Sequence, residues 1–309
     1  MSLHVIVGAG AVGSATARLL AERGDQVRLI SRRGTGPTDV TGVELVAADA
    51  SDAQRLAELT AGASVIYNCA NPPYHRWSTQ WPPMAAALLT AAEASGAVLV
   101  TMSNLYGYGP VDGPMTEDLP LRPSTVKGEI RARMWRDALV AHEAGRIRAV
   151  EARASDYVGA GATSLLTSVV LPKVVAGKRA LVPADLDVPH SWTYVGDVAR
   201  TLAVLGADER AWGRAWHVAT EPAMPIREVA TLAAELTSAP APRLARMPAA
   251  VLWMGGSFDP TVREFRKMIY QFRRPFVLDS TAVTSTFGLT ATPLATSLKG
   301  TVVALQASP

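Results

Sequence analysis

The stretch VIVGAGAVGSATARL, from Val5 to Leu19, decides how this chain folds. A short run of β-branched residues leads into a G-x-G-x-x-G turn, and apolar residues at helical spacing follow it. Glycine in such a turn allows a tight bend, a close approach of the backbone to a pyrophosphate, and close contact between helix and strand. We therefore predict that this turn binds a dinucleotide. The predicted backbone contacts are Gly8, Gly10, Ala11, Val12 and Gly13.

Strand-like and helix-like segments alternate through the first half of the chain. The strand-like segments are LHVIV, QVRLI, VELVAAD, SVIYNCA, AVLVTMS and RAVEARAS, and helical segments separate most of them. Parallel strands joined by right-handed crossovers form a sheet that helices cover on both faces. We predict an α/β fold with a Rossmann-type doubly wound parallel sheet in residues 1–155 that returns near 192–220. A smaller C-terminal region is predicted from residues 156–191 and 221–309.

The composition is that of a globular protein, with 49% hydrophobic and 18% charged residues. The net charge of +3 is small and the arginines are spread along the chain, which argues against nucleic acid as a partner. No apolar run is long enough to span a membrane, and the first strand begins too early for a signal peptide. The single cysteine, Cys69, excludes an internal disulfide and a cysteine-based zinc site. We expect a cytoplasmic protein without a membrane or metal partner.

The end of the second strand indicates which dinucleotide binds. NAD-binding proteins usually carry an acidic residue there to hold the ribose hydroxyls, but this chain reads RLISRRG. Ser31 stands in place of the carboxylate, and Arg32 and Arg33 offer planar donors suited to a 2′-phosphate. We therefore predict NADP(H) as the cofactor, with Asp49 facing the adenine. The alternatives are that both arginines are solvated loop charges and that Asp49 is a plain strand-end cap.

Several further motifs, in their order along the chain, carry a family likeness. The chain resembles the extended short-chain dehydrogenase/reductase family, in its NAD-dependent epimerase/dehydratase group. The resemblance implies a nicotinamide cofactor in the first domain and a substrate cleft under the C-terminal region. The motifs are VGAGAVG, VIYNCA, TMSNLYGYG, EARASDYVGAG, SWTYVGDVART and PFVLDSTAVTSTFGLTATPL.

The resemblance also implies an active site that this chain does not have in its usual form. Family members carry a serine or threonine near the end of the fifth strand and a tyrosine followed four residues later by a lysine. None of the seven tyrosines here has a lysine four residues on. Alignment of TMSNLYGYG puts Met102 at the serine position, with Thr101 and Ser103 beside it. If the family's tyrosine is laid on Lys127, its lysine position falls on Arg131, so the dyad is replaced.

The helix that carries this pair predicts which way the two cations face. Extrapolation of its apolar stripe by one turn places Lys127, and with it Arg131, on the buried side. There Lys127 is the leading candidate for a proton donor if burial and Arg131 lower its pKa, while Arg131 holds the nicotinamide ribose and stays protonated. The alternative is that both side chains snorkel to solvent. The stripe is predicted to comprise Ile130, Met134, Ala138 and Ala141.

Other candidates follow the ends of the strands. Tyr74, and less directly His75, are alternative proton donors, and Trp77 with Trp81 offers an apolar wall for a ring-bearing substrate, although aromatic residues of a loop can equally cover the core. Asp156 with Tyr157, and His190 with Trp192, lie in segments that reach the nicotinamide and substrate ends of related proteins, but packing or capping is the favoured role for each. Positions assigned to the cofactor on the same resemblance are Asn68, Ala70, Lys127 and Asp156.

Three functional hypotheses follow. The first is an NADP(H)-dependent oxidoreductase or epimerase/dehydratase-like enzyme that acts on a small polar or sugar-like substrate with a non-standard proton donor. The second is an NADP(H)-binding redox sensor without turnover, and the third is a non-redox isomerase, dehydratase or cyclase. The resemblance is also compatible with a homodimer formed through helices near Met84–Ser95 and Val126–Glu143.

Overall fold

A seven-stranded parallel sheet forms the centre of the computed structural model, which describes residues 2–307. Its strand order is β10-β6-β5-β4-β1-β2-β3, so the chain reverses its direction of winding between β1 and β4. Two short parallel pairs, β8 with β11 and β7 with β9, lie outside this sheet. The strands are β1 Leu3–Val7, β2 Gln26–Ser31, β3 Val43–Ala47, β4 Ala63–Asn68, β5 Val98–Asn104, β6 Arg148–Ala154, β7 Asp156–Val158, β8 Ala180–Val182, β9 Trp192–Tyr194, β10 Ala215–His217 and β11 Leu244–Arg246.

Helices cover both faces of the sheet because alternate strand residues are apolar on each side. In β1, Ile6 packs with residues of α1 and α6, whereas Val5 and Val7 pack with α2, α3 and α4. The C-terminal region has a core of its own around α5, α7 and α11. The helices are α1 Ala11–Glu22, α2 Ala53–Thr60, α3 Trp77–Ser95, α4 Val126–Glu143, α5 Leu171–Val175, α6 Val195–Ala207, α7 Ile226–Leu236, α8 Ala249–Phe258, α9 Pro260–Lys267, α10 Thr281–Phe287 and α11 Leu294–Ala307.

The predicted Rossmann-type sheet is confirmed, including its late return at β10. The predicted buried stripe of α4 is partly wrong. Ile130 and Met134 are half-exposed, and the buried face instead carries Lys127, Arg131 and Trp135 above the correctly predicted alanines. Lys127 and Arg131 face inward as predicted, with only 4% and 6% of their surface exposed.

Several helix boundaries also differ from the prediction. Helix α3 begins at Trp77, ahead of the predicted helix near Met84–Ser95, and Pro82 and Pro83 lie inside it. The segment TVREFRKMIYQFRR, whose spacing predicts one helix from Thr261 to Arg274, is divided into α9 and a separate 3₁₀ turn at Ile269–Phe272. Helices α5, α8, α10 and α11 were not predicted. No helix within residues 2–307 is both long and apolar enough to cross a bilayer.

Candidate active site

A cleft of about 810 Å³ opens at the carboxyl ends of β1 to β4. In a doubly wound sheet, ligands bind outside the carboxyl ends of the strands, where the winding reverses. The cleft brings together most of the residues that the sequence assigns to a dinucleotide. Those that line it are Gly8, Gly10, Ser31, Arg32, Arg33, Asp49 and Ala70.

The three glycines of the first turn are needed for different reasons. Gly8 has a φ of +110°, and a Cβ there would lie 2.6 Å from the carbonyl carbon of Cys69. A Cβ on Gly13 would lie 1.8 Å from the carbonyl oxygen of Gly8. A Cβ on Gly10, in contrast, would meet only open space. Gly8 and Gly13 are therefore required by the fold, whereas Gly10 keeps the cleft open.

Helix α1 directs its N-terminus at this turn, with Gly10 as the N-cap residue. The first intrahelical bond is donated by the Ser14 N–H to the Gly10 carbonyl. The N–H groups of the first turn, from Ala11 to Gly13, therefore have no acceptor inside the helix. Such donors, aligned with the helix dipole, favour an anion. Together with the missing Cβ at Gly10, they fit the pyrophosphate of a dinucleotide.

The end of β2 presents two arginines to the same cleft. Ser31 is occupied by the turn itself, since its hydroxyl donates to the Thr35 carbonyl at 3.0 Å and accepts from the Thr35 N–H at 2.9 Å. Arg32 and Arg33 are exposed and form no salt bridge with any residue between 2 and 307. Asp49 accepts from the N–H and hydroxyl of Ser51, and these bonds, with the charge of Arg32, lower its pKa. The opening thus carries two unpaired guanidinium groups beside one capped carboxylate.

Lys127 lies at the start of α4, where Thr125 caps the helix by accepting from the Gly128 N–H. Its Nζ donates to Oε2 of Glu264 in α9 at 2.6 Å and lies 4.3 Å from the centre of the Tyr74 ring. Burial lowers the pKa of Lys127, and the attraction of Glu264 opposes that shift. The ion pair joins the first domain to the C-terminal region across the candidate site.

Arg131 follows one turn later and is held by aromatic rings. Its guanidinium lies 4.3 Å from the centre of the Trp81 ring and 4.8 Å from that of Trp77. One terminal nitrogen donates a long bond of 3.4 Å to the Met102 carbonyl, and Nε has no partner. Burial lowers the pKa of Arg131, and the charge of Glu151 opposes this shift. Arg131 is therefore a buried cation with an unused donor.

Ser103 lies in a buried polar network that starts beside Arg131. It is 3% exposed and donates a hydrogen bond to Glu151, whose pKa burial raises. Arg153 donates to Glu151 at 2.7 Å and to the Tyr108 hydroxyl at 2.7 Å. Ser103 is thus engaged with a carboxylate inside the sheet.

Four buried or half-buried tyrosines connect Lys127 with Asp156 through ring contact and mutual electrostatic effects. Burial is the main reason that their pKa values are raised, and that of Tyr106 reaches about 12. The charge of Asp156 raises the pKa of three of them further. All four hydroxyls are therefore protonated donors near neutral pH. The residues are Tyr74, Tyr106, Tyr157 and Tyr270.

Asp156 and His190, which the sequence suggests separately, form a pair. Nε2 of His190 lies 2.9 Å from Oδ2 of Asp156, and Nδ1 lies 3.2 Å from the carbonyl oxygen of Gln271. The imidazole is buried and stacks on Phe272 at 4.9 Å and on Phe276 at 5.2 Å between ring centres. The ring is thereby fixed in one orientation.

Some predicted residues lie away from these groups. Asn68 lines a separate apolar groove between α3 and α4, and its side-chain oxygen accepts from the Ala70 N–H. His75 is exposed. Glu264, Tyr270 and Gln271 were missed, because they reach the site from the far end of the sequence and no local pattern marks them. No group of three or more His, Cys, Asp or Glu side chains in the described residues could hold a metal ion.

Comparison with solved structures finds the same fold at low sequence identity. MoeE5, in complex with UDP-glucose and NAD, has a TM-score of 0.79 and 22% identity over 100% of this chain and 99% of its own. The dTDP-glucose 4,6-dehydratase of Bacillus anthracis, in complex with NAD, has a TM-score of 0.81 and 15% identity over 100% and 97%. WbmH of Bordetella bronchiseptica, in complex with NAD⁺, has a TM-score of 0.77 and 20% identity over 100% of this chain and 99% of its own.

A comparison with curated proteins found no significant match. The model of the NAD dependent epimerase/dehydratase family, however, matches residues 4–219. That match covers well over half of the chain and runs from β1 through β10, the whole central sheet with its glycine turn. The protein therefore belongs to the NAD dependent epimerase/dehydratase family.

Proposed function

We propose that the protein is an NADP(H)-dependent oxidoreductase or epimerase/dehydratase-like enzyme for a small polar or sugar-like substrate. The observation that carries the proposal is the glycine turn at the start of α1, which faces a cleft of about 810 Å³. When bound, the nicotinamide ring of such a cofactor accepts or donates a hydride. The single cysteine and the NADP(H) assignment suit a reducing, cytoplasmic setting.

The preference for NADP(H) is supported by the unpaired Arg32 and Arg33 at the end of β2. Replacing both by alanine should weaken NADPH binding by about tenfold to a hundredfold, because charge-assisted hydrogen bonds to the 2′-phosphate contribute roughly 1.5–3 kcal/mol. NADH affinity should stay unchanged. The measurement is a titration of the double variant and of wild type with NADPH and with NADH, followed by nicotinamide fluorescence. Equal affinities in the double variant and wild type would show that the arginines are only solvated loop charges.

The catalytic residues in this proposal come from α4 and the segments that face it. Lys127 donates the proton to the substrate oxygen, and Tyr74, whose ring lies against the ammonium, is the second candidate. Arg131 holds the nicotinamide ribose with its unused Nε, since a guanidinium stays protonated and cannot exchange the proton itself. Ser103 orients Glu151 beside Arg131.

A sugar nucleotide is the favoured form of the sugar-like substrate. MoeE5 was solved with UDP-glucose, and a second neighbour is a dTDP-glucose dehydratase. The supporting feature in this chain is the group of tyrosine hydroxyls at Tyr74, Tyr106, Tyr157 and Tyr270, which suits a hydroxylated ring. Trp77 and Trp81, in contrast, are buried around Arg131, so the predicted apolar wall for a substrate is not formed by them. Substrate depletion with UDP-glucose and dTDP-glucose in the presence of NADP⁺ tests this assignment.

We also propose a homodimer formed through α3 and α4. Their outer faces leave an apolar groove of about 430 Å³ lined by Ala86, Leu89, Ile130 and Met134, among others. Ile130→Asp should convert the dimer to a monomer in sedimentation experiments, because an unpaired carboxylate would be buried in the interface. Leu181→Asp, at an exposed apolar position on β8, is the control and should leave the dimer intact. A monomeric wild type, or an Ile130→Asp dimer, would contradict this interface.

A further inference from the structure

The hydrogen bonds of His190 fix how many protons it shares with Asp156. A backbone carbonyl can only accept, so a hydrogen bond between Nδ1 and the Gln271 carbonyl, 3.2 Å apart, is one in which Nδ1–H donates. The second ring nitrogen lies 2.9 Å from a carboxylate oxygen, which also accepts when ionised. With Nδ1–H donating to the carbonyl, a hydrogen bond at this second contact needs a proton between Nε2 and Oδ2.

The surroundings distinguish this pair from a closed structural ion pair. His190 is 1% exposed, but the side chain of Asp156 keeps 17% of its surface exposed. The carboxylate is also within electrostatic reach of the Tyr74, Tyr106 and Tyr157 hydroxyls. The His190 side of the pair is thus buried and rigid, and the Asp156 side faces the candidate site.

Unpartnered polar atoms lie on the segments that flank the pair. The Tyr270 hydroxyl and the Gln271 side-chain oxygen are buried without a partner, and so is the Ser155 hydroxyl next to Asp156. Gln271 is 2% exposed. Buried polar groups in proteins normally find a partner, so these atoms are ones that a polar ligand or an ordered water would satisfy.

We propose that Asp156 and His190 share one proton and form a second acid–base group of the site, which exchanges that proton with a hydroxyl or carbonyl oxygen of the ligand. The pair is separate from Lys127, whose ammonium is tied to Glu264. Its catalytic consequence rests on the proposed function, whereas the shared proton does not. The titratable groups on which the Asp156 charge acts are Tyr74, Tyr106 and Tyr157.

The test is nuclear magnetic resonance of the full chain with ¹⁵N-labelled histidine, in wild type and Asp156→Asn. The pair predicts that one histidine of the wild type carries protons at both ring nitrogens or a shared proton at the second, protected from exchange. That signal should disappear in Asp156→Asn, because the amide can donate to Nε2. Asp187→Asn, which affects an exposed surface pair with Arg227, should leave all histidine signals unchanged. A histidine spectrum that is the same in Asp156→Asn and wild type would overturn the proposal.

A second readout separates this inference from the proposed function. Asp156→Asn should lower kcat by about a hundredfold to ten-thousandfold and remove one limb of its pH profile, with NADPH affinity retained. A normal kcat and pH profile in a variant that has lost the shared proton would refute the acid–base role. Failure of the wild type to bind NADPH would instead refute the proposed function and leave the spectroscopic result standing.

Discussion

Gly10→Ala should leave the protein folded but weaken dinucleotide binding by about tenfold to a hundredfold. A Cβ at Gly10 meets no protein atom, so it does not disturb the turn, but it projects into the space that the pyrophosphate needs. The steric cost of such an added group is roughly 1–3 kcal/mol. The measurement is a titration with NADPH together with thermal unfolding of the free protein.

Gly13→Ala is the matched control. It should lower the stability of the free protein, whereas Gly10→Ala should leave the fold intact. Its Cβ would lie 1.8 Å from the Gly8 carbonyl oxygen, and neither backbone can move without separating α1 from β1. The expected loss of stability is about 3 kcal/mol, which lowers the Tm by roughly 5–10 °C. A Gly10→Ala variant that binds NADPH as tightly as wild type would show that no phosphate approaches this turn.

Lys127→Met should lower turnover by about a hundredfold to ten-thousandfold while NADPH affinity is retained. The reason is that general acid catalysis by a positioned group contributes this much, and methionine fills the same space without a proton to give. Lys267→Met is the matched control, because Lys267 donates to the other oxygen of the same Glu264 at 2.6 Å but is exposed. It should remain close to wild-type activity.

The pH dependence follows from the pKa shift of Lys127. A proton donor must be protonated, so activity should fall as the pH rises through the pKa of the lysine. Burial lowers that pKa from 10.5, so the alkaline limb should lie below 10.5 and be absent in Lys127→Met. If NADPH affinity collapses instead and chemistry is otherwise normal, Lys127 is a ligand clamp. Unchanged turnover with unchanged affinity would remove Lys127 from the mechanism.

The central sheet and its cofactor edge could be predicted from the sequence because local patterns specify them. A strand, a glycine turn and a helix follow each other within Val5–Leu19, and each of their contacts is short in sequence. The orientation of Lys127 and Arg131 was also predicted, since helical periodicity decides it. The predicted buried stripe of α4 was partly wrong for a physical reason. Ile130 and Met134 are apolar but face the groove beside α3, so apolarity alone misassigned the buried side.

The far side of the candidate site could not be predicted. Glu264 pairs with a lysine 137 residues away, and His190 is oriented by a carbonyl 81 residues away. No periodicity relates positions at such separations, and only the packing of the C-terminal region against α4 brings them together. The hydrogen-bond state of His190 likewise depends on two partners that the sequence does not place beside it.

The central claim is that this chain binds a nicotinamide dinucleotide in the cleft at the start of α1, with preference for the 2′-phosphate. The most direct measurement is a titration of the wild-type protein with NADPH and with NADH, followed by nicotinamide fluorescence. We expect a Kd on the order of micromolar for NADPH and weaker binding of NADH by about tenfold or more. The absence of binding of either dinucleotide would contradict it.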